Sequence, residues 1–232
     1  MATTRRERVR EATIQEIKQT AARQIATDGA AALSLRGIAI AMGMTPPALY
    51  RYFDSRDALV TALIVDAYGS FADALEAASA AAPPEEPIER LRALGRAYRA
   101  WALAHPQDYA LVFGTPLPGY HAPSEVTMPI ARRAMIVLVD GIQAVLGTGQ
   151  SIGVASEGAP VETSSAEWRA GGATVAPSPA LRLALAAWTS LHGFVSLELF
   201  NHLQPLVGDP TALFEAELDA LLERIRHEND TR

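Results

Sequence analysis

The sequence predicts an all-α fold: a three-helix N-terminal head containing a helix-turn-helix, joined by a long fourth helix to a larger helical body. Three observations predict it. Apolar residues recur every three or four positions through most of the 232-residue chain, and Pro and Gly punctuate these runs. The stretch Leu33–Leu59, LSLRGIAIAMGMTPPALYRYFDSRDAL, reads as two short helices around a tight turn. Hydrophobic residues make up 49% of the chain and charged residues 20%, with no long polar tract. That composition excludes a disordered chain and leaves apolar surface for a head, residues 1–54, and a body, residues 55–232.

The first helix is expected over Arg5–Thr27, with Ile14, Ile17, Ala21 and Ile25 in one stripe and Asp28-Gly29 as its stop. Ahead of the stripe, Arg5, Arg6, Arg8 and Arg10 read either as an arm for nucleic-acid phosphates or a minor groove, or as a frayed, soluble helix end. Ser34 is an N-cap type, and Leu35, Ile38, Ala39 and Met42 follow at helical spacing until Gly43, which suits the positive φ of a helix C-terminus. Thr45 then caps a short third helix, with Pro46 at its first position and Pro47 still in its first turn. Small Ala39, Gly43 and apolar Leu49 suit two helices crossing closely, the geometry of a DNA-binding unit. A bundle of about 50 residues is too small to stand comfortably alone. The fourth helix supports it. It is capped by Asp54-Ser55, carries Ala58, Leu59, Ala62, Leu63, Val65, Phe71 and Leu75, and continues to about Ala81, where Pro83-Pro84 breaks it. It should span about 35–40 Å, with Gly69 either a site of close packing or a bend.

In the body, a helix over Pro87–His105 carries Ile88, Leu91, Leu94, Tyr98 and Trp101 on one face, and Pro106 stops it. A short helix at Gln107–Phe113 precedes the Gly- and Pro-rich loop GTPLPGYHAPSE. The next helix begins near Thr127, with Pro129 in its first turn, and runs to about Leu146. Residues 147–178 are small and polar without a period, and read as a long loop or as a loop hiding a short element around Glu162–Arg169. Its Trp168 either docks on the body or closes over a pocket. Pro179–Leu203 is a strongly apolar helix in which only Arg182 and Glu198 are ionised. Its uncharged run Leu183–Leu197 is shorter than the roughly 18–20 residues of a membrane span, so burial in protein is expected. Asp209-Pro210 caps a last helix with a broad face of Leu213, Phe214, Leu218, Leu221, Leu222 and Ile225. Two such helices suggest a subunit interface as much as a core.

The absence of cysteine excludes disulfides, thiolate metal sites and cysteine nucleophiles. The N-terminus is basic but has no apolar signal-peptide region, so a cytoplasmic location is the expectation, with no membrane partner. Net charge is −6, unevenly spread: residues 1–60 carry nine Lys/Arg against six Asp/Glu, and the remaining 172 carry eleven against twenty. A basic head can approach phosphates where an acidic body would not, although the same excess also suits a solvated face.

The segment Ser34–Leu59 resembles the tetracycline-repressor (TetR) family of bacterial transcription regulators, through Leu35-Arg36, Ile38-Ala39, Gly43, Leu49-Tyr50, Phe53, Ser55-Arg56-Asp57 and Leu59. It departs from the family at Gly37, where an acidic residue is usual, at Met42, where alanine is, and at Pro47-Ala48, where a glycine and a hydroxyl residue are common. Trp188, His192-Gly193, Glu198-Leu199 and His202-Leu203 resemble the Trp-His-Gly type of C-terminal domain in one branch of the family. The resemblance implies a homodimer formed through the last two helices, a palindromic double-stranded DNA operator, and a small-molecule effector held in the body, with no cofactor, metal or catalytic residue. It implies DNA contacts from Ser34, Arg36, Thr45, Pro46, Ala48, Tyr50, Arg51, Tyr52 and Arg56, with Tyr50 alternatively a core residue. For the effector pocket the candidates are Tyr98, Trp101, His105, Phe113, Tyr120, Trp188 and His192, which suit a small hydrophobic or aromatic ligand, although core packing is the better explanation for most of them. The rival reading is a metal- or histidine-dependent enzyme built on Glu198 and His202, four apart on one helix face, joined by His192 and His105. No HExxH pattern or nucleophile motif accompanies them. A third reading keeps the head only as an assembly module.

Overall fold

A computed structural model describes residues 4–230 apart from 116, 148–161, 164–175 and 178. The architecture is all-α: α1 (Arg5–Asp28), α2 (Leu35–Ala41), α3 (Pro46–Leu49), α4 (Arg56–Ala81), α5 (Pro87–Ala104), α6 (Pro106–Phe113), α7 (Ser124–Val145), α8 (Pro179–Leu199), α9 (Gln204–Val207) and α10 (Thr211–Asp230). Within the expected long loop, the two-residue strands Glu162–Thr163 and Ala176–Pro177 pair in parallel. Trp168 and the rest of that stretch lie outside the described residues.

Contacts divide the chain into two compact units. The first is Met1–Gly69 with His105–Met128, and the second is Ser70–Ala104 with Pro129–Arg232. The division therefore falls inside α4 and not at residue 54. The reason is the core of the first unit. Ile17, Ala21 and Ile25 of α1, Leu35, Ile38 and Ala39 of α2, and Leu49 of α3 are joined there by Leu59, Val60, Leu63 and Ile64 of α4, and Leu111, Val112, Leu117 and Tyr120 pack against them. Without that later segment the bundle would leave its α4 face uncovered.

Local chemistry sets the ends of the elements. Thr4 and Glu7 form a reciprocal capping box, so α1 starts in an ordered turn and not in a frayed one. Ser34 Oγ accepts from the Gly37 N–H at 3.3 Å and starts α2. Gly43, at φ +65°, ends α2 in a Schellman motif, with Met44 N–H donating to the Ala39 carbonyl and Gly43 N–H to that of Ile40. Thr45 precedes α3, but its hydroxyl makes no capping bond, and the helix is a single turn.

In the second unit α5 buries Leu91, Leu94, Tyr98 and Trp101 as the stripe requires. Three expected boundaries move. Pro106 opens α6 at its first position instead of merely ending α5. α7 starts at Ser124, because the Pro123 carbonyl accepts from the N–H groups of Val126 and Thr127, so Pro129 lies inside the helix. α8 stops at Leu199, short of Leu203: Asn201 adopts φ +60°, and His202 N–H turns back to the Leu197 carbonyl. Asp209 Oδ1 accepts from Thr211 N–H and starts α10 as its sequence suggests. By length and composition alone α4 and α8 could cross a membrane. In the fold α4 buries Leu59, Val60 and Leu63 in one unit and Phe71, Ala72 and Leu75 in the other, which explains a helix apolar on several faces.

Candidate nucleic-acid interface

Leu49 fixes the presentation of the helix-turn-helix. It is fully buried, and with Phe53 it anchors α3 to the core, which turns the remainder of the short helix outward. Thr45, Pro47, Tyr50 and Arg51 are exposed, as is Arg36 on α2, while Pro46 and Ala48 are half-buried. Tyr50 is 49% exposed and so is not a core residue. Ile40, one turn beyond Arg36, is 68% exposed, an apolar outward position that the helical stripe alone did not single out.

Three side chains hold this surface together. Gln24 of α1 accepts from the Ser34 N–H at 3.2 Å and so secures the start of α2. Arg56 Nε donates to the Leu33 carbonyl at 3.1 Å, tying the first turn of α4 to the segment before α2. Arg10 Nη1 donates to the Arg51 carbonyl at 3.3 Å, and its guanidinium lies 5.2 Å from the centre of the half-buried Tyr52 ring. Ser34 and Tyr52 are thus engaged inside the head, Ser34 as a cap and Tyr52 as a stacking partner.

The same unit contains a cavity of ≈ 340 Å³ between α4, α6, the loop that follows and the start of α7. Ile64, Tyr68, Leu111, Val112, Tyr120 and Met128 supply much of its apolar wall. Its polar tips are uncharged. Tyr120 OH and Thr61 Oγ1 lie 2.9 Å apart, Thr127 Oγ1 donates to the Pro123 carbonyl at 3.1 Å, and Tyr68 OH donates to the Val112 carbonyl at 3.5 Å. Burial pushes the Tyr68 phenol above its ordinary pKa, which keeps it a donor.

Of the seven expected pocket residues, Tyr120 alone lines this cavity. Phe113 packs edge-on against Tyr68 nearby, and His105 is the exposed N-cap of α6. The other four belong to the second unit. Tyr98 and Trp101 are core residues around Phe71, with Trp101 Nε1 donating to Ser70 Oγ. Tyr98 OH shares a 2.9 Å hydrogen bond with His192 Nδ1, and Trp188 packs beside that imidazole. Burial lowers the His192 pKa below its ordinary value. The α5 stripe identified Tyr98 and Trp101 as inward-facing and the family resemblance added Trp188 and His192, but neither signal separates a packed core from a void. Apart from Tyr120, the lining of this cavity was not singled out, because Ile64 and Tyr68 and the 111–128 residues belong to two unrelated stretches of sequence.

The proposed Glu198–His202 pair does not form. α8 ends between them, and Glu198 is 4% exposed and held by Arg99 through Nε and Nη2 at 2.7 and 2.5 Å. Among the described residues no group of three His, Asp or Glu side chains could hold a metal.

Residues 17–63 match the profile described as bacterial regulatory proteins of the tetR family, and residues 91–221 match the tetracyclin repressor-like C-terminal domain. The chain belongs to the TetR family. The HTH-type transcriptional regulator Rv1816 of Mycobacterium tuberculosis is 35% identical over 210 residues, 89% of each chain. The solved structure of SCO4313 is 46% identical, with a TM-score of 0.75 over 95% of this chain and all of that one. The TetR family transcriptional regulator PfmR of Thermus thermophilus, 16% identical with a TM-score of 0.56 over 89% of this chain and 97% of its own, shares the fold. The protein is a TetR-type transcriptional regulator whose N-terminal helices are its DNA-binding domain. Within this TetR head, a Cβ at Gly37 would stand 3.1 Å from Gln24 Nε2, so a larger residue there would require the amide that secures Ser34 to shift by a few tenths of an ångström.

Proposed function

We propose that this TetR regulator is a cytoplasmic, homodimeric repressor that reads a palindromic operator and leaves it when a small, uncharged, mainly apolar effector enters the cavity beside Tyr120. One observation carries the reading: the cavity wall and the recognition element share one core, through Ile64, Leu111, Val112 and Tyr120. An effector that favours one arrangement of that core over another biases α3 directly, and a coupling of about 1–3 kcal/mol changes operator affinity about 5- to 150-fold. At ≈ 340 Å³ the cavity is near the small end for ligand clefts, and its uncharged lining disfavours an ion, which would lose hydration without a counter-charge. Exposed Arg36, Thr45, Tyr50 and Arg51 are the residues best disposed for DNA, with Pro46 and Ala48 offering apolar contacts to thymine methyls. Ser34, Tyr52 and Arg56 act there mainly as braces. For the dimer, Phe194 and Leu197 of α8 and Leu213 of α10 line an open apolar cleft of ≈ 350 Å³, and a second copy would cover it.

The test starts with the wild-type protein selecting its operator from a randomised duplex library. Enrichment of an inverted repeat is expected, with half-sites about one helical turn or a multiple apart. A panel of uncharged alcohols, ketones and phenols, with carboxylates and amines of the same skeletons, is then tried for operator release. Release by uncharged members, abolished in Ala122→Trp at the cavity rim, supports the proposal. Release by the ions alone, or release that survives in that variant, removes the cavity from the mechanism.

A further inference from the structure

The α1 stripe continues past the end of the core. Ile14, Ile17 and Ala21 define the face of α1 that packs into the head, and Arg10 and Arg6 occupy the next two positions of the same face toward the N-terminus. At Arg10 the neighbour is no longer apolar core but the exit from α3, where the guanidinium meets the Arg51 carbonyl and the Tyr52 ring. Arg6 lies one turn farther along, about 6 Å beyond Arg10. The capping box keeps that turn helical, so Arg6 rides on a rigid overhang rather than on a flexible tail. Glu7, the acidic residue of this turn, has its carboxylate directed to the Thr4 N–H.

We propose that Arg10 is a positioning residue for DNA reading, locking the end of the recognition element to α1, and that Arg6 beside it is a further phosphate contact flanking the bases read by α3. The two arginines divide the labour: Arg10, although exposed, is turned onto Arg51 and Tyr52 and acts through them, whereas Arg6, one turn beyond, carries its charge past them toward the DNA. The proposal rests on the reading of α2–α3 as an operator-binding unit, and it adds a second strip of contact that leaves by a route other than the recognition helix.

Salt dependence separates the roles. Affinities of wild type, Arg6→Gln, Arg10→Met and Arg10→Lys are measured across a salt series, on the duplex selected by the wild type and on a scrambled duplex of equal length. Arg6→Gln should weaken both duplexes alike and lower the slope of log K against log salt by about 0.9 per chain. Arg10→Met should weaken the selected duplex at least tenfold more than the scrambled one with an unchanged slope, and Arg10→Lys, which keeps a cation for the ring and the carbonyl, should restore most of the loss. Thermal unfolding of each variant within a few degrees of wild type confirms an intact head. Equal losses on both duplexes with a reduced slope in Arg10→Met would make Arg10 an ordinary phosphate contact, and an unchanged slope in Arg6→Gln would remove Arg6 from the interface. Failure of the wild type to prefer any duplex would instead overturn the underlying operator reading.

Discussion

Arg99 and Glu198 meet across α5 and α8 with side chains only 15% and 4% exposed, and Arg99 also reaches Thr211 Oγ1 and lies over the Phe214 ring. Glu198 raises the Arg99 pKa, as its charged hydrogen bonds favour the guanidinium. Removing the cation strands a buried carboxylate. Arg99→Met should therefore cost about 3–5 kcal/mol in urea unfolding, well above the loss of one exposed pair. His192 offers a second measurable effect. Its folded pKa lies below the ordinary 6.5, so the unfolded chain binds the proton more readily. Its contribution is complete above about pH 6.5 and is lost as pH falls through the folded value. The urea midpoint of wild type should drop between pH 7.5 and 5.5 by more than that of His192→Gln. At this scale the sequence was least legible. Glu198 invited a local partner at His202, but its partner is 99 residues away, and no periodicity reports contacts between helices.

Elements were far more legible, because their ends are local chemistry. Ser34, Gly43, Pro46 and Asp209 each act at the terminus where their type is favoured. The ends that moved depended on weaker signals: an asparagine in the left-handed conformation at 201, and a proline carbonyl starting α7. How elements meet was not legible. Gly95 of α5 is a case in point, since a Cβ there would stand 2.6 Å from Cδ1 of the buried Leu218 on α10. Alanine would gain about 1 kcal/mol of helix propensity but incur about 1–3 kcal/mol of overpacking. Gly95→Ala should thus be destabilising on the order of 1 kcal/mol by denaturant titration, opposite in sign to the effect at an exposed helical glycine.

For the whole molecule, the sequence supported the all-helical class, the helix-turn-helix and the apolar last helices. It did not reveal the cavity proposed for an effector, whose wall is assembled from α4 and from residues 111–128. The dimer reading gives a direct prediction. Leu197 is 46% exposed in the α8–α10 cleft, and Leu197→Asp should place a charge where a second copy is expected. Sedimentation should then report a monomer, and operator affinity should fall by about 100-fold or more as two linked half-site contacts become one. A dimer unchanged by this substitution would place the interface elsewhere.

The discontinuous first unit matters for anyone who would re-engineer this regulator. The chain leaves that unit at Gly69 and returns over His105–Met128, so the DNA reader is not a detachable N-terminal cassette. A chimera spliced at residue 54 would ask a foreign body to cover Leu59, Leu63 and Ile64 and to replace Leu111, Val112, Leu117 and Tyr120. Transplants that carry both segments should keep operator selectivity in a new host scaffold, and single-splice transplants should lose it through a poorly packed head. New DNA specificity is thus better grafted at the exposed positions of α2 and α3 than by exchanging residues 1–54.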